Sequence, residues 1–126
     1  MKYLIDSSAW ISYLEGSHKG EFVNNILKGG NEIFTIPLIV AEVVSKIKRQ
    51  KANAEVAYEA ILSNSYVAEI TPKTAKEAGL LHAELKNKIQ GIGLADSLIL
   101  CSSRALSAKI ITEDAHFKSF KEAIVL

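Results

Sequence analysis

Four carboxylates stand where the sequence otherwise places apolar or small residues. Two apolar runs each end abruptly in acidic residues, the first at Asp6 and the second at Glu113-Asp114. Two further acids, Glu42 and Asp96, interrupt apolar stretches with helical spacing. A carboxylate near the edge of a core is costly unless it is paired or coordinates a metal ion. These four residues are therefore the first candidates for chemistry.

The elements that would position these acids alternate between short strands and helices. Strands are predicted over residues 2–5, 33–36, 66–70, 109–112 and 123–125. One helix is expected after a Ser7 or Ser8 cap and a second before Gly29-Gly30, followed by helices over residues 38–51, 52–62, 72–89, 94–106 and 115–120. Strands separated by one or two helices imply parallel crossovers. The sequence therefore predicts one α/β domain over residues 1–126, with three α/β/α layers and a parallel sheet of four to five strands.

This architecture would bring the four acids together. In a parallel sheet the strands end at one edge, and the helices on both faces begin there. Asp6 and Asp114 come just after strands, Glu42 lies within about two turns of a helix start at Pro37, and Asp96 lies in the first turn after Gly93. We therefore expect all four carboxylates at the same edge of the sheet.

Three of the four acids also have a local explanation that involves no chemistry. Asp6 and Asp114 would suit helix caps, and Asp96 would suit the first turn of a helix. Each of these placements would stabilise the folded protein by about 1 kcal/mol. Glu42 is harder to explain in this way, because dipole effects fade beyond the first turn. Four clustered carboxylates would raise one another's pKa values, and a divalent cation would relieve that repulsion.

The types of ligand limit which cation such a site would bind. Carboxylate oxygens suit Mg²⁺ and Mn²⁺, whereas zinc favours cysteine and histidine. Among the three histidines only His116 lies near these acids in sequence. No histidine or lysine is expected as an obvious general base, and Gly91-Ile92-Gly93 is too weak a pattern to predict a phosphate-binding loop.

The order of these motifs resembles the PIN-domain ribonucleases, and in particular the VapC-like toxins of prokaryotic toxin–antitoxin pairs. The resemblance rests on Asp6-Ser7-Ser8, Glu42, Ala95-Asp96 and Thr112-Glu113-Asp114-Ala115-His116-Phe117, and it covers the whole chain. It implies an RNA-cleaving site in which Asp6, Glu42, Asp96 and Asp114 hold Mg²⁺ or Mn²⁺. It also implies that Ser7 and Thr112 support these ligands. Glu113 departs from the family pattern, which more often has a neutral or basic residue there.

The net charge of +1 excludes attraction of the whole molecule to nucleic acid, so RNA binding would need a local patch of cations. The candidates for that patch are Lys46, Lys48, Arg49, Lys51, Lys86 and Arg104. The alternative for the first four is a solvated helix end that complements the dipole. The single cysteine and the lack of a leader or membrane-spanning run predict a cytoplasmic protein.

The apolar residues of the first two helices, which include Trp10 and Phe22, predict more hydrophobic surface than one small sheet needs. We therefore expect a homodimer interface or a groove for a small antitoxin. A housekeeping nuclease in RNA maturation and a non-enzymatic binding module are the alternatives. A phosphoacceptor receiver domain is disfavoured, because Asp6 is followed by two serines and Thr112 by acids.

Overall fold

A parallel five-stranded sheet forms the centre of the molecule, whose computed structural model describes residues 1–126. The strands are β1 (Lys2–Ile5), β2 (Glu32–Thr35), β3 (Tyr66–Val67), β4 (Lys109–Thr112) and β5 (Ala123–Val125). Their order across the sheet is β3-β2-β1-β4-β5. Leu4 of the central strand pairs with Phe34 on one side and Ile110 on the other. The predicted parallel sheet is therefore confirmed, with five strands.

Six α-helices cover the sheet. They are α1 (Ser7–Glu15), α2 (His18–Lys28), α3 (Pro37–Arg49), α4 (Ala54–Asn64), α5 (Pro72–Leu85) and α6 (Leu94–Leu106). Helix α1 packs on α2 and α3, α3 packs on α4, and α5 packs on α6. These contacts form two helical layers with the sheet between them, which confirms the three-layer α/β/α class. No helix is both long and apolar enough to cross a bilayer.

The core lies on both faces of the two central strands. Leu4, Ile5, Ile110 and Ile111 are fully buried, as expected for parallel strands covered by helices on each side. Trp10 of α1 is also fully buried. Consecutive apolar residues in these strands, with no polar alternation, therefore reflect burial on both faces.

Most of the apolar surface expected to be exposed on α1 and α2 is buried in the protein's own core. Trp10, Ile11 and Val23 are buried, whereas Phe22 is 45% exposed. The two helices approach so closely that a Cβ on Gly20 would lie 2.0 Å from the Ser12 carbonyl oxygen. The surplus of hydrophobic surface on this helix pair is therefore smaller than expected, because the close α1–α2 packing buries most of it.

Several predicted boundaries also shift. Helix α1 is capped by Asp6 and not by a serine, because the Asp6 carboxylate accepts the Ser7 backbone N–H. Strand β3 covers two residues and not five, since it lies at the sheet edge and pairs only with β2. Helix α5 ends at Leu85, four residues early, and the last helical segment is a 3-10 turn over Ala115–Phe117.

Candidate active site

The site is built around Asp6, which ends the central strand. Asp6 directly follows β1, which lies between β2 and β4 in the sheet, and the residue is only 5% exposed. Its Oδ1 accepts the backbone N–H of Ser7 at 2.8 Å. Its Oδ2 accepts the hydroxyls of Thr112 at 2.7 Å and Ser8 at 3.2 Å. Several donors therefore offset the cost of burying this carboxylate.

The same two hydroxyls bind the loop that follows β4. The Thr112 hydroxyl accepts the backbone N–H of Asp114 at 3.0 Å, and the Ser8 hydroxyl accepts that of Glu113 at 2.9 Å. Ser8 was not among the predicted supporting residues, whereas Thr112 was. The Ser7 hydroxyl lies 3.5 Å from Asp6 Oδ1, so Ser7 contacts the carboxylate more closely through its backbone.

Asp96 and Asp114 enter the site from the starts of two other elements. Asp96 Oδ2 accepts the backbone N–H of Gly93 at 2.8 Å and thereby closes the start of α6. Asp114 Oδ1 accepts the backbone N–H of His116 at 2.8 Å and begins the 3-10 turn. Their side chains are 17% and 35% exposed, respectively. Both acids therefore act as caps, and each keeps its second carboxylate oxygen free of hydrogen bonds.

Glu42 reaches the site from α3. Its Oε1 atom is buried and has no hydrogen-bond partner. Burial raises the pKa of Glu42, the negative charges of Asp6 and Asp96 raise it further, and the Ser7 hydroxyl offsets part of the effect. Glu42 therefore lies within electrostatic range of two other members of the predicted quartet.

Asp114, the fourth acid, interacts electrostatically with Asp6. Burial raises the pKa of Asp6, hydrogen bonds oppose that effect, and the charge of Asp114 adds to it. The structure thus brings all four predicted acids to one edge of the sheet, and the three aspartates among them are the only ones in the chain. A divalent cation fits this site, since the buried Glu42 oxygen lacks a partner and the acids repel one another.

His116 also lies at the site, where no role was predicted for a histidine. Its Nδ1 atom is 3.1 Å from Asp114 Oδ1 and 3.7 Å from Asp96 Oδ2. Proximity to Asp114 in sequence was the available signal. The direction of a side chain within a 3-10 turn cannot be inferred from spacing, so the contact with both acids emerges only from the structure.

Comparisons with known proteins agree with this arrangement. Residues 3–123 match the model of the PIN domain family. The chain belongs to the PIN domain family. No curated protein matches it.

Solved structures share the fold of this PIN domain. VapBC2 from Rickettsia felis, bound to a DNA fragment from the promoter, aligns with a TM-score of 0.79 and 22% identity over 100% of this chain and 98% of that one. VapBC-1 from nontypeable Haemophilus influenzae aligns with a TM-score of 0.73 and 17% identity over 97% of this chain and 92% of that one. Mycobacterium tuberculosis VapC20, a Sarcin-Ricin loop cleaving toxin, aligns with a TM-score of 0.76 and 13% identity over 94% of this chain and 95% of that one. At these identities the likeness establishes the fold alone.

The predicted RNA-binding cations of the PIN domain are divided between different surfaces. Lys46 and Arg49 line an open groove between α1 and α3 that also contains Glu42. Lys48 and Lys51 face a separate depression beside the start of α4. Arg104 binds Glu122 at 3.0 Å near the far end of α6, and Lys86 follows the end of α5. Only Lys46 and Arg49 therefore share a groove with an acid of the site.

Glu113, the departure from the family pattern, contacts α1 and α2. Its carboxylate accepts the Ser12 hydroxyl, and it forms an ion pair with Lys19 at 3.5 Å. The charge of Glu113 is thus opposed by a lysine. The residue connects the β4 loop of the PIN domain to the first helical layer.

The raised pKa of Glu42 predicts a pH-dependent stability in EDTA. The folded protein holds this proton more tightly than the unfolded chain, so the free energy of unfolding falls as pH rises from about the ordinary value of 4.5 through the raised value. Glu42→Gln removes this pH-dependent loss of stability, because glutamine carries no charge at any pH. In urea unfolding the variant should be more stable than the wild type at pH 8, and the difference should shrink at pH 4.

Glu84→Gln serves as the control for this measurement, because Glu84 is exposed on α5. It should leave the pH dependence of unfolding unchanged. Equal stability of the wild type and Glu42→Gln at pH 8 would contradict the description of Glu42 as a destabilising buried charge.

Proposed function

We propose that this PIN-domain protein is an endoribonuclease that hydrolyses RNA phosphodiester bonds with Mg²⁺ or Mn²⁺. The observation that carries the proposal is the gathering of four carboxylates at one sheet edge, where Asp6 is buried and a buried Glu42 oxygen has no hydrogen-bond partner. Burial and the neighbouring charges raise the pKa values of these two acids. A structural role alone does not explain such a cluster, because its members repel one another. A nuclease needs this concentration of charge to hold a cation against phosphate oxygens.

In this proposal Asp6 and Asp96 bind the cation directly. Glu42 and Asp114 bind a second cation or act through water. When bound, the cation would lower the pKa of a water molecule and polarise the phosphoryl oxygens. The hydroxyls of Thr112 and Ser8 orient the Asp6 carboxylate by donating to its Oδ2.

The groove between α1 and α3 is the proposed path of the RNA strand. Lys46 lies one helical turn beyond Glu42 on the same face of α3, and Arg49 lies nearly one further turn along. The side chain of Arg49 contacts the Ser45 hydroxyl at 3.4 Å, and Ser45 lines the same groove. Phosphates next to the cleaved bond would contact these two cations.

The groove predicts which cations matter for RNA affinity. In an Asp96→Asn background that prevents cleavage, combining Lys46→Gln with Arg49→Gln should weaken binding to single-stranded RNA. The slope of log K against log salt should fall by about 1.4, or about 0.7 for each lost phosphate contact. The matched control combines Lys48→Gln with Lys51→Gln, which removes the same charge from the neighbouring surface. Equal effects of the two pairs would contradict the proposed path.

Cation-dependent cleavage is the direct test of the function. Purified protein should cleave single-stranded RNA with Mg²⁺ or Mn²⁺ and stop when EDTA is added. Asp96→Asn should reduce cleavage by about a hundredfold or more, because it removes an electrostatic contact to the reacting centre. Glu84→Gln, which removes one exposed charge, should cleave normally. Cleavage that survives chelation, or an active Asp96→Asn protein, would refute the mechanism.

Thermal unfolding of the same variants separates binding from folding. Asparagine can still accept the Gly93 N–H, so metal-free Asp96→Asn should be at least as stable as the wild type. Mg²⁺ at a hundredfold excess over its Kd would stabilise the wild type by about 2.7 kcal/mol and the variant by less. Stabilisation of both proteins to the same extent would remove Asp96 from the metal site.

The proposed biological role is that of a cytoplasmic toxin, held inactive by a small antitoxin protein and assembled as a homodimer. Solved structures with this fold include VapBC proteins and a toxin–antitoxin complex from Klebsiella pneumoniae. Exposed apolar side chains offer surface for such partners: Phe22, Val56, Tyr58 and Leu62. A housekeeping role in RNA maturation is the second candidate, because the same site would serve it.

Growth of a bacterial host distinguishes the two roles. Expression of the wild type alone should halt growth, whereas Asp96→Asn should not, since it lacks nuclease activity. Co-expression of a small DNA-binding protein encoded next to this gene should restore growth. Normal growth with a fully active nuclease would instead support the housekeeping role.

A further inference from the structure

His116 has no part in the function proposed above, although its ring lies against two of the acids. Of the two roles left open above for Asp114, we propose direct binding: Asp96 and Asp114 hold one cation, His116 Nδ1 is a further ligand of it, and this nitrogen makes the site prefer Mn²⁺ over Mg²⁺. The inference rests on the proposed function only in requiring that a divalent cation bind there. It assigns a residue type that the carboxylate quartet does not contain.

The spacing of the donor atoms fits one ion. Nδ1 lies 3.1 Å from Asp114 Oδ1 and 3.7 Å from Asp96 Oδ2, and donor atoms of the three residues lie within 4.8 Å of one another. Two donors bound to one ion at about 2.1 Å lie about 3.0 Å apart in an octahedron and about 3.4 Å apart in a tetrahedron. Small rotations of the side chains would bring these atoms onto a shared cation.

The hydrogen-bonding state of the ring also points to a ligand. Nδ1 is buried and has no hydrogen-bond partner, although a carboxylate oxygen lies only 3.1 Å away. That oxygen, Asp114 Oδ1, already accepts the backbone N–H of His116 itself at 2.8 Å. A buried nitrogen beside two carboxylates is costly when unpaired. A cation between them would satisfy all three groups.

The opposite edge of the ring is in contact with the loop between α5 and α6. A Cβ on Gly91 would lie 3.1 Å from His116 Nε2 and 3.6 Å from Cε1. Gly91 also has a φ of +78°, which disfavours any other residue. The glycine therefore leaves the space in which the imidazole can turn Nδ1 toward the acids.

The nitrogen would change which ion the site selects. Mg²⁺ takes oxygen ligands and keeps much of its water, whereas imidazole suits first-row transition metals. An oxygen-only quartet would offer Mn²⁺ little advantage over Mg²⁺. With one imidazole added to the carboxylates, we infer a preference for Mn²⁺ that depends on His116.

The test measures metal binding and not cleavage. Mn²⁺ and Mg²⁺ are titrated into the wild type, into His116→Ala and into a control variant, His18→Ala. The control removes a histidine that is exposed at the start of α2. Pulsed electron paramagnetic resonance of bound Mn²⁺ then reports whether a nitrogen nucleus is coupled to the ion.

We expect a nitrogen coupling in the wild type and in His18→Ala, and none in His116→Ala. The Mn²⁺ affinity of His116→Ala should fall by about tenfold or more, since even partners outside the ligand shell typically contribute 10–100-fold. The Mg²⁺ affinity should change less. His116→Gln keeps a polar side chain of similar reach, and the same loss of coupling in this variant would show that the alanine result does not come from a disturbed loop.

Two failures have different meanings. Tight Mn²⁺ binding without nitrogen coupling in the wild type would overturn the role of His116 and leave the nuclease proposal intact. Absence of binding by either cation, together with cleavage that resists EDTA, would overturn the proposed function and this inference with it. An unchanged Mn²⁺ to Mg²⁺ affinity ratio in both His116 variants would also refute the proposed selectivity.

Discussion

The burial of the Asp6 carboxylate is the constraint on which the rest of the site depends. This charge ends the central strand and is 5% exposed, so its oxygens must be satisfied from within the protein. Thr112 and Ser8 donate to it, and the same hydroxyls accept backbone N–H groups from the β4 loop. Satisfying one buried charge therefore also fixes the loop that carries Asp114. The arrangement of the site therefore depends on the hydrogen bonds that the buried Asp6 carboxylate requires.

Capping and metal binding are compatible roles for these acids. Asp6, Asp96 and Asp114 each accept a backbone N–H at the start of an element, as the local explanation requires. A carboxylate has about four acceptor positions, so the single cap bond of Asp96 or Asp114 leaves others for a cation, whereas Asp6, which also accepts two hydroxyls, has fewer left. The cap also fixes the rotamer of the acid, which reduces the entropy lost when an ion binds. Burial raises the pKa values of Asp6 and Glu42, and the charges of neighbouring acids raise them further, so an ion that offsets the negative charge would stabilise the site.

Much of the fold and the location of the acids could be predicted from sequence. Apolar strands that end in acids, together with parallel crossovers, were sufficient to place Asp6 and Asp114 at one edge. Ser8 could not be found in this way, because its bond to Glu113 joins residues 105 positions apart. The direction of the His116 ring likewise depends on the 3-10 turn and on Gly91. The surplus apolar surface was overestimated, since the sequence does not show how closely Gly20 lets α2 approach α1.

Helix α3 combines the opposing charges that a nuclease needs. Lys46 lies about 6 Å and Arg49 about 10 Å beyond Glu42 along the helix axis. These separations are close to the Debye length of about 8 Å at physiological salt, so the acids and the cations would both act on a strand that followed the proposed path. Without a metal ion, the acidic edge would repel a phosphate that Lys46 and Arg49 would attract in the proposed path. Binding of metal would remove this repulsion, and metal and RNA should therefore bind cooperatively, each increasing the affinity for the other.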